Sequence, residues 1–238
     1  MYFTAPKFTE FMLNQTVWVV IPSFNDNGPL AGVVAELTSL GYSVVVVDDC
    51  STVPVATSVK TSKVHIVRHC TNLGQGAALQ TGFEFALSKH AEYLVTFDAD
   101  GQHSAADIEA LLKPIRSGDA AVALGSRFAT GGQALNISPS RRIVLRLATV
   151  FTCLTTGLRI TDTHNGLRAF TADAARKIHI TQNHMAHASQ ILDQISRLSI
   201  PYAEVPVTIR YTEYSQTNGQ KLSNGINVLW ESVVERLF

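Results

Sequence analysis

The sequence predicts an α/β protein in which one mostly parallel sheet carries helices on both faces and a C-terminal amphipathic helix follows. Three observations lead there. Short unbroken apolar runs alternate with stretches whose apolar residues recur every three or four positions. The runs are continuous, not alternating, as strands buried on both faces require. Of 238 residues, 46% are hydrophobic and 16% charged, a composition that builds a sizeable core.

The elements follow in order. Val17-Trp18-Val19-Val20-Ile21 is the first strand, and Pro22 ends it. Leu30, Val33, Val34, Leu37 and Leu40 share a helical face, with Gly41 as the stop. Val44 to Val47 forms a second strand that runs into Asp48-Asp49, and Val64 to Val67 a third. Leu79, Phe83, Ala86 and Leu87 mark the next helix, and Tyr93 to Phe97 a strand ending in Asp98-Ala99-Asp100. Ile108, Leu111, Leu112 and Ile115 face the core again, before a strand at Ala120 to Leu124.

After Gly125 the pattern changes. Residues 128–140 are rich in Gly, Ser, Asn and Thr and read as a mobile loop. Arg141-Arg142 opens an apolar stretch, Ile143 to Leu158. Thr161 to Phe170 is a polar turn leading to a strand, Ile191, Ile195 and Leu198 mark a helix, and Tyr202 to Tyr211 alternates like one strand. Ser223 to Phe238 forms a last helix with Ile226, Trp230, Val233 and Leu237 in one stripe. The first ~15 residues show no period and read as a leader arm. The organisation expected is one domain over 1–222 and an amphipathic helix over 223–238 that docks on a membrane or a partner.

Charge and cysteine content narrow the function. Lys+Arg and Asp+Glu are 19 each, so the net charge is zero. Such a chain has no global field for DNA or RNA, and nucleic acid is not an expected partner. Cys50, Cys70 and Cys153 lie far apart in sequence, with no C-x-x-C pair, which argues against a zinc-cysteine site or a disulfide scaffold and fits a reducing cytosol. No run reaches the roughly 18 apolar residues of a membrane span, and the N-terminus has no stretch of signal-peptide length.

In open α/β sheets the ligand sits beyond the carboxyl ends of the strands. Three strand ends carry polar clusters: Pro22-Ser23-Phe24-Asn25-Asp26, Asp48-Asp49-Cys50-Ser51 and Asp98-Ala99-Asp100-Gly101-Gln102. One such Asp is usually a turn former; three clusters in one sheet point to a site. Asp98 and Asp100, two apart on extended chain, face one point, and hard oxygen ligands suit Mg²⁺ or Mn²⁺, with Gln102 as a third contact. An EF-hand is excluded because His103 stands where Gly is needed. Ser104-Ala105-Ala106-Asp107 reads as a helix capping box. Asn72-Leu73-Gly74-Gln75-Gly76-Ala77-Ala78 opens a helix after a strand, yet Leu79 breaks the dinucleotide fingerprint, and no P-loop motif occurs.

Together these segments resemble family 2 glycosyltransferases of the GT-A fold, a Rossmann-like sheet. Val20 to Asp26, Val47 to Thr52, Asn72 to Ala78, Phe97 to His103, Gly125-Ser126-Arg127 and Thr161 to Phe170 occur in family order over about residues 17–210. Within that family the chain is similar to the short polyprenyl-phosphate (dolichyl-phosphate-like) sugar transferases. The tail, Tyr211 to Ser215 with Gly219-Gln220, resembles a small bacterial subgroup found in surface-polysaccharide pathways.

The resemblance implies an inverting, metal-dependent transfer from a nucleoside diphosphate sugar, a UDP- or GDP-sugar, to a polyprenyl phosphate lipid. Pro22, Ser23, Phe24, Asp26, Asp48, Asp49, Ser51, Asn72, Gly74, Gly76, Asp98 and Ala99 would bind the nucleotide sugar, with Asp48 able to accept a base imide N–H. Asp98, Asp100 and Gln102 would hold Mg²⁺ or Mn²⁺. Arg127 and Arg168 would join Asp98, Asp100 and Asp162 in catalysis, and Arg127, Arg141 and Arg142 would take the acceptor phosphate. Relatives acting on hydroxyls carry a carboxylate base near Gln190, which cannot serve as one; Asp162, His187 and Asp193 remain as other bases. His184 and His187, three apart, point to a local hydrogen bond before a zinc site. The expected location is cytoplasmic, peripheral at the inner face of the membrane, with a small membrane protein as a further partner. Transfer to a hydroxyl of a lipid-linked glycan is the near alternative. A sugar-1-phosphate nucleotidyltransferase is more distant, because its G-G-x-G-T-R-L start is absent.

Overall fold

The computed structural model describes residue 14 and residues 16–59, 64–184 and 186–211. The expected C-terminal helix and the domain boundary at 222 lie outside these residues.

The elements run β1 (Val17–Ser23), α1 (Asn27–Ser39), β2 (Ser43–Asp48), β3 (Val64–Arg68), α2 (Gln75–Ser88), β4 (Tyr93–Thr96), α3 (Asp107–Arg116), β5 (Val122–Ser126), β6 (Gln133–Leu135), α4 (Pro139–Thr156), β7 (Arg168–Thr171), α5 (Ala172–Lys177), α6 (His187–Arg197), β8 (Tyr202–Pro206) and β9 (Thr208–Arg210). Seven strands form one sheet in the order β3-β2-β1-β4-β7-β5-β8, and β6 pairs with β9 in a second. All neighbours in the main sheet are parallel except β7, which runs against both β4 and β5.

The continuous apolar runs are buried on both sides, as their composition requires. Strand side chains alternate between faces. Val17, Val19 and Ile21 of β1, with Val44 and Val46 of β2, pack against α1 and α3. Trp18, Val20, Val45 and Val47 point the other way, onto α2, α5 and α6. Phe83 and Phe170 meet edge to face in that second layer, centroids 5.2 Å apart.

The apolar stretch after Arg141-Arg142 is helix α4. Pro139 opens it, the Ser138 hydroxyl accepts from the Arg141 amide at 3.3 Å, and Gly157 closes it at φ 73°. Three sequence readings are corrected. The segment 128–140 contains β6. Tyr202 to Tyr211 is two strands: after Pro206 the Val207 amide bonds the Ser126 carbonyl, and β9 leaves for the small sheet. Nor is Ser104-x-x-Asp107 a reciprocal cap. No side chain caps α3, and Asp107 instead accepts the Thr208 amide at 2.9 Å, which ties α3 to β9.

The reversal of β7 matters for the site. Pairing Thr96 with Arg168 puts the start of β7 beside the end of β4. Loop 161–167 thereby arrives at the edge where β1, β2 and β4 finish. Gly82 of α2 sits so close to Val20 of β1 that a Cβ would overlap its side chain. Gly82→Val should therefore lower unfolding free energy by about 1–3 kcal/mol through overpacking, seen as a lower urea midpoint with an unchanged slope.

Candidate active site

A cleft of about 560 Å³ opens where these strand ends meet. Pro22, Ser23, Phe24 and Asp26 line it from β1, Asp49 from β2, and Asn72 and Gly74 from the loop before α2. Asp98, Ala99, Asp100 and Gln102 form its floor, and Arg127, Arg141 and Arg168 border it. Asp48, Ser51, Gly76, Asp162 and Arg142 are not on its lining.

The second cluster is a frame for the loops. Asp48, almost fully buried, accepts the Ser51 amide at 2.8 Å, the Val55 amide at 3.1 Å and Arg68 Nη1 at 2.6 Å. Burial works to raise its pKa, but those amides and the Arg68 charge outweigh it and hold the carboxyl below its usual range. Its oxygens are thus turned inward, away from the imide contact that the sequence suggests. Asp49 accepts the Leu73 and Gly74 amides at 2.8 and 2.7 Å and pairs with His69 Nδ1 at 2.7 Å. The Ser51 hydroxyl accepts the Asn25 amide at 3.0 Å, linking the first two clusters. Gly74 has φ 99°, and a Cβ there or at Gly76 would strike the carbonyls of Asn183 and Gln182. These glycines admit the 182–183 loop, and the Gly76 amide bonds the Asn183 carbonyl at 2.8 Å.

Asp98 is held on three sides. His103 Nε2 lies 2.8 Å from Oδ2, Gln75 Nε2 donates to Oδ1 at 3.3 Å, and Gly166 packs so closely that a Cβ would overlap the carboxylate. Asp100 accepts the Gln102 amide at 3.0 Å and the Gln102 side-chain amide at its other oxygen. Burial pushes Asp98 up, but the His103 hydrogen bond and the charges around it bring it below its usual value. Burial, and then the Asp98 charge, push Asp100 up. Two carboxylates that repel each other on the cleft floor fit a divalent cation, and the Gln102 amide oxygen is a third donor. Among the described residues no group of three or more His, Cys, Asp or Glu is gathered for a metal, so a cation here would also need oxygens from its substrate.

Two of the arginines are engaged elsewhere. Arg127 places Nε 2.6 Å from Asp162 Oδ2, Nη1 2.5 Å from the Tyr211 hydroxyl and Nη2 2.8 Å from the His164 carbonyl. Burial opposes its charge, but Asp162 and Tyr211 prevail and raise its pKa. Arg168 donates to the carbonyls of Asn165 at 3.0 Å, Thr163 at 3.0 Å and Ala188 at 3.3 Å. Burial lowers it to about 10, so it stays charged at neutral pH. Both guanidiniums shape loop 161–167 rather than reach out as clamps. Arg141 lines the cleft with its guanidinium 4.9 Å above the Tyr211 ring. Arg142 is exposed outside it.

His103, Gln75, Glu204 and Tyr211 carry parts the sequence reading missed. His103 stands inside the Asp98 motif and Gln75 in the segment that opens α2, and nothing in either motif signals their contacts with Asp98. Glu204 holds the 161–162 turn through the Thr161 amide at 2.6 Å. His187 Nδ1 meets the His184 carbonyl at 2.7 Å, the local bond expected in place of zinc.

The family model described as "Glycosyl transferase family 2" matches residues 18–179. The chain belongs to glycosyl transferase family 2. It is 26% identical over 246 residues to the UDP-N-acetylglucosamine–dolichyl-phosphate N-acetylglucosaminyltransferase of Methanococcus voltae, covering 95% of this chain and 98% of that one. It is 29% identical over 222 residues to the undecaprenyl-phosphate mannosyltransferase of Micrococcus luteus, covering 88% of each. This glycosyltransferase is thus related to polyprenyl- and dolichyl-phosphate sugar transferases. Its fold is GT-A-like. It superposes with a TM-score of 0.70 on glucosyl-3-phosphoglycerate synthase of Mycobacterium tuberculosis, solved with Mn²⁺, UDP-glucose and phosphoglyceric acid, at 15% identity over 94% of this chain and 79% of that one.

Two predictions follow from the buried charges of this glycosyltransferase. Asp162→Ala leaves the Arg127 charge buried without its partner and should cost about 3–5 kcal/mol in urea unfolding. His164 and His187 are lowered by burial to about 4 each. The unfolded chain binds their protons near 6.5 and the native one does not, so stability is full above pH 6.5 and falls as the pH drops towards 4. Unfolding curves at pH 7.5, 5.5 and 4.5 should show this decline, and His187→Gln should flatten it by on the order of 3 kcal/mol.

Proposed function

We propose that this enzyme transfers a sugar, with inversion, from a UDP- or GDP-sugar to a polyprenyl phosphate. The observation that carries the acceptor class is that the expected bases are unsuited to the task. Asp162 is bound to Arg127, and Asp193 pairs with Arg197 at 2.9 Å. Gln190 accepts the Thr181 and Gln182 amides at 3.0 and 3.1 Å and holds that loop. His187, at a pKa of about 4, is a weak proton acceptor. An acceptor that brings its own anionic oxygen needs no base, and a phosphate monoester is such an acceptor. Arg141 stands on the cleft wall with Val144 and Leu145 beside it, a cation next to apolar surface, as a lipid phosphate would require.

Asp98 and Asp100, with Gln102, would hold Mg²⁺ or Mn²⁺ on the donor diphosphate. A divalent ion there supplies Lewis-acid stabilisation to the leaving group. His103 and Gln75 fix the Asp98 carboxylate, and Phe24, Asp26 and Asn72 border the space for the nucleoside. An acceptor phosphate oxygen attacks the anomeric carbon from the face opposite the diphosphate. The C–O bond breaks, and its electron pair leaves on the β-phosphate. The activities of the Methanococcus and Micrococcus relatives support the lipid-phosphate acceptor. The Mn²⁺ and UDP-glucose of the Mycobacterium structure support the donor and the ion. No helix of the described residues is long and apolar enough to cross a membrane.

The test is direct. Purified protein, polyprenyl phosphate in detergent and a panel of labelled UDP- and GDP-sugars with Mg²⁺ or Mn²⁺ should give a labelled lipid that mild acid releases. Label appearing only on a lipid-linked glycan hydroxyl would overturn the phosphate acceptor. Asp98→Asn and Asp100→Asn should each abolish transfer while leaving the thermal midpoint within a few degrees of the parent; turnover near the parent rate at low Mn²⁺ would sink the ion assignment.

A further inference from the structure

Helix α4 carries two working faces. Arg141, Val144, Leu145 and Ala148 look into the cleft. Ala148, Thr149 and Thr152 bury the helix against the body. On the far side, Ile143, Leu147, Val150 and Leu154 are 60%, 63%, 56% and 80% exposed. Their spacing of i, i+4, i+7 and i+11 makes one straight apolar stripe, roughly 17 Å long at 1.5 Å per residue. The other exposed large hydrophobics among the described residues, Phe24, Leu40, Val53, Leu73 and Leu198, lie singly in loops or at helix ends. A continuous exposed stripe needs a covering surface.

Charge indicates what covers it. The protein is neutral overall, yet no Asp or Glu occurs from residue 120 to residue 161. Arg142 and Arg146 flank the stripe on α4, and Arg159 follows its end; all three are exposed. Arg146 lies 5.9 Å from the Phe128 ring, beside the same patch. An apolar stripe bordered by arginines and free of acidic groups matches the boundary between acyl chains and anionic headgroups.

We propose that the outer face of α4 rests on an anionic bilayer, with Ile143, Leu147, Val150 and Leu154 at the acyl boundary and Arg142, Arg146 and Arg159 on the headgroups. This deepens the acceptor reading and rests on it for its purpose. It sets the cleft wall, through Arg141, Val144 and Leu145, one helix thickness from the membrane. A lipid phosphate could then enter the cleft while its chain stays in the bilayer.

Flotation of the full chain tests this, using vesicles of phosphatidylcholine alone and with 30% phosphatidylglycerol. The parent should float with the anionic vesicles, less so at high salt. Leu147→Glu/Leu154→Glu should reduce flotation at least tenfold, and Arg146→Gln/Arg159→Gln should weaken it on anionic vesicles alone. UDP and GDP titration and the thermal midpoint should stay at parent values in both. Unchanged flotation of the Leu147→Glu/Leu154→Glu protein would overturn the proposal, as would a parent that floats on neither vesicle. So would a parent dimer, by analytical ultracentrifugation, that the two glutamates dissociate. Activity on polyprenyl phosphate in detergent separates the two readings: docking variants should keep it if the acceptor is correct, whereas its absence in the parent defeats the acceptor reading whatever the vesicles show.

Discussion

A carboxylate removed from water must be paired, because an unpaired buried charge costs several kcal/mol after relaxation. That constraint builds this cleft. The sheet delivers Asp48, Asp49 and Asp98 to strand ends, and the loops settle where their amides and side chains can satisfy those oxygens. Asp48 gathers 51–55 with Arg68, and Asp49 gathers 73–74 with His69. Asp162, delivered by the loop before β7, gathers Arg127 and through it Tyr211. Each pairing fixes a piece of wall, so the acidic residues that look alike in sequence divide into those that hold the frame and those that face the cleft. Asp98 and Asp100 are in the second class. Their mutual repulsion is eased in part by His103 and Gln102, and a cation from outside the chain would relieve the rest.

The sheet was legible because its evidence is local. Unbroken valine runs demand burial on both faces, and the helices between them show their period within a dozen residues. The Asp98–Asp100 pair was legible for the same reason, since two-residue spacing on extended chain sets its direction. What depended on distant partners was not. Nothing near Arg168 in sequence says that its donors meet the carbonyls of 163, 165 and 188, or that β7 is reversed. Arginines inside motifs therefore read as phosphate clamps when the fold has used them to set a loop. Asp107 looked like a cap because the 104–107 spacing fits one; a strand a hundred residues away takes its carboxylate instead. Gly74 and Gly76, at the start of α2, were expected at the nucleotide sugar, whereas the close approach they permit is that of another backbone.

Helix α4 shows why the middle of the chain was the hardest to read. Its sequence mixes bulky apolar residues with arginines and threonines, which in isolation does not say which face is buried. Only the structure separates the faces, placing small residues inward and Leu154 outward. A helix packed into a core would carry its bulk on the inner face and its threonines on the outer. Here the order is inverted on the inner face, where Ala148, Thr149 and Thr152 allow close approach to the body. That inversion, with the lack of acidic residues around it, makes the outward stripe a surface with a purpose and not a packing accident.

Electrostatics then sorts the two substrates. The cleft floor is acidic, with Asp98 and Asp100 side by side, and it can receive a diphosphate only in the company of a cation. The wall formed by α4 is positive, with Arg141 lining the cleft and no carboxylate on its own segment. A bare phosphate monoester is repelled from the floor and attracted to the wall. A metal-bound diphosphate is drawn to the floor. On the proposed reading donor and acceptor are both phosphates, and in a neutral protein it is this division between floor and wall, not the net charge, that would keep each in its own place and present them to one another across the anomeric carbon.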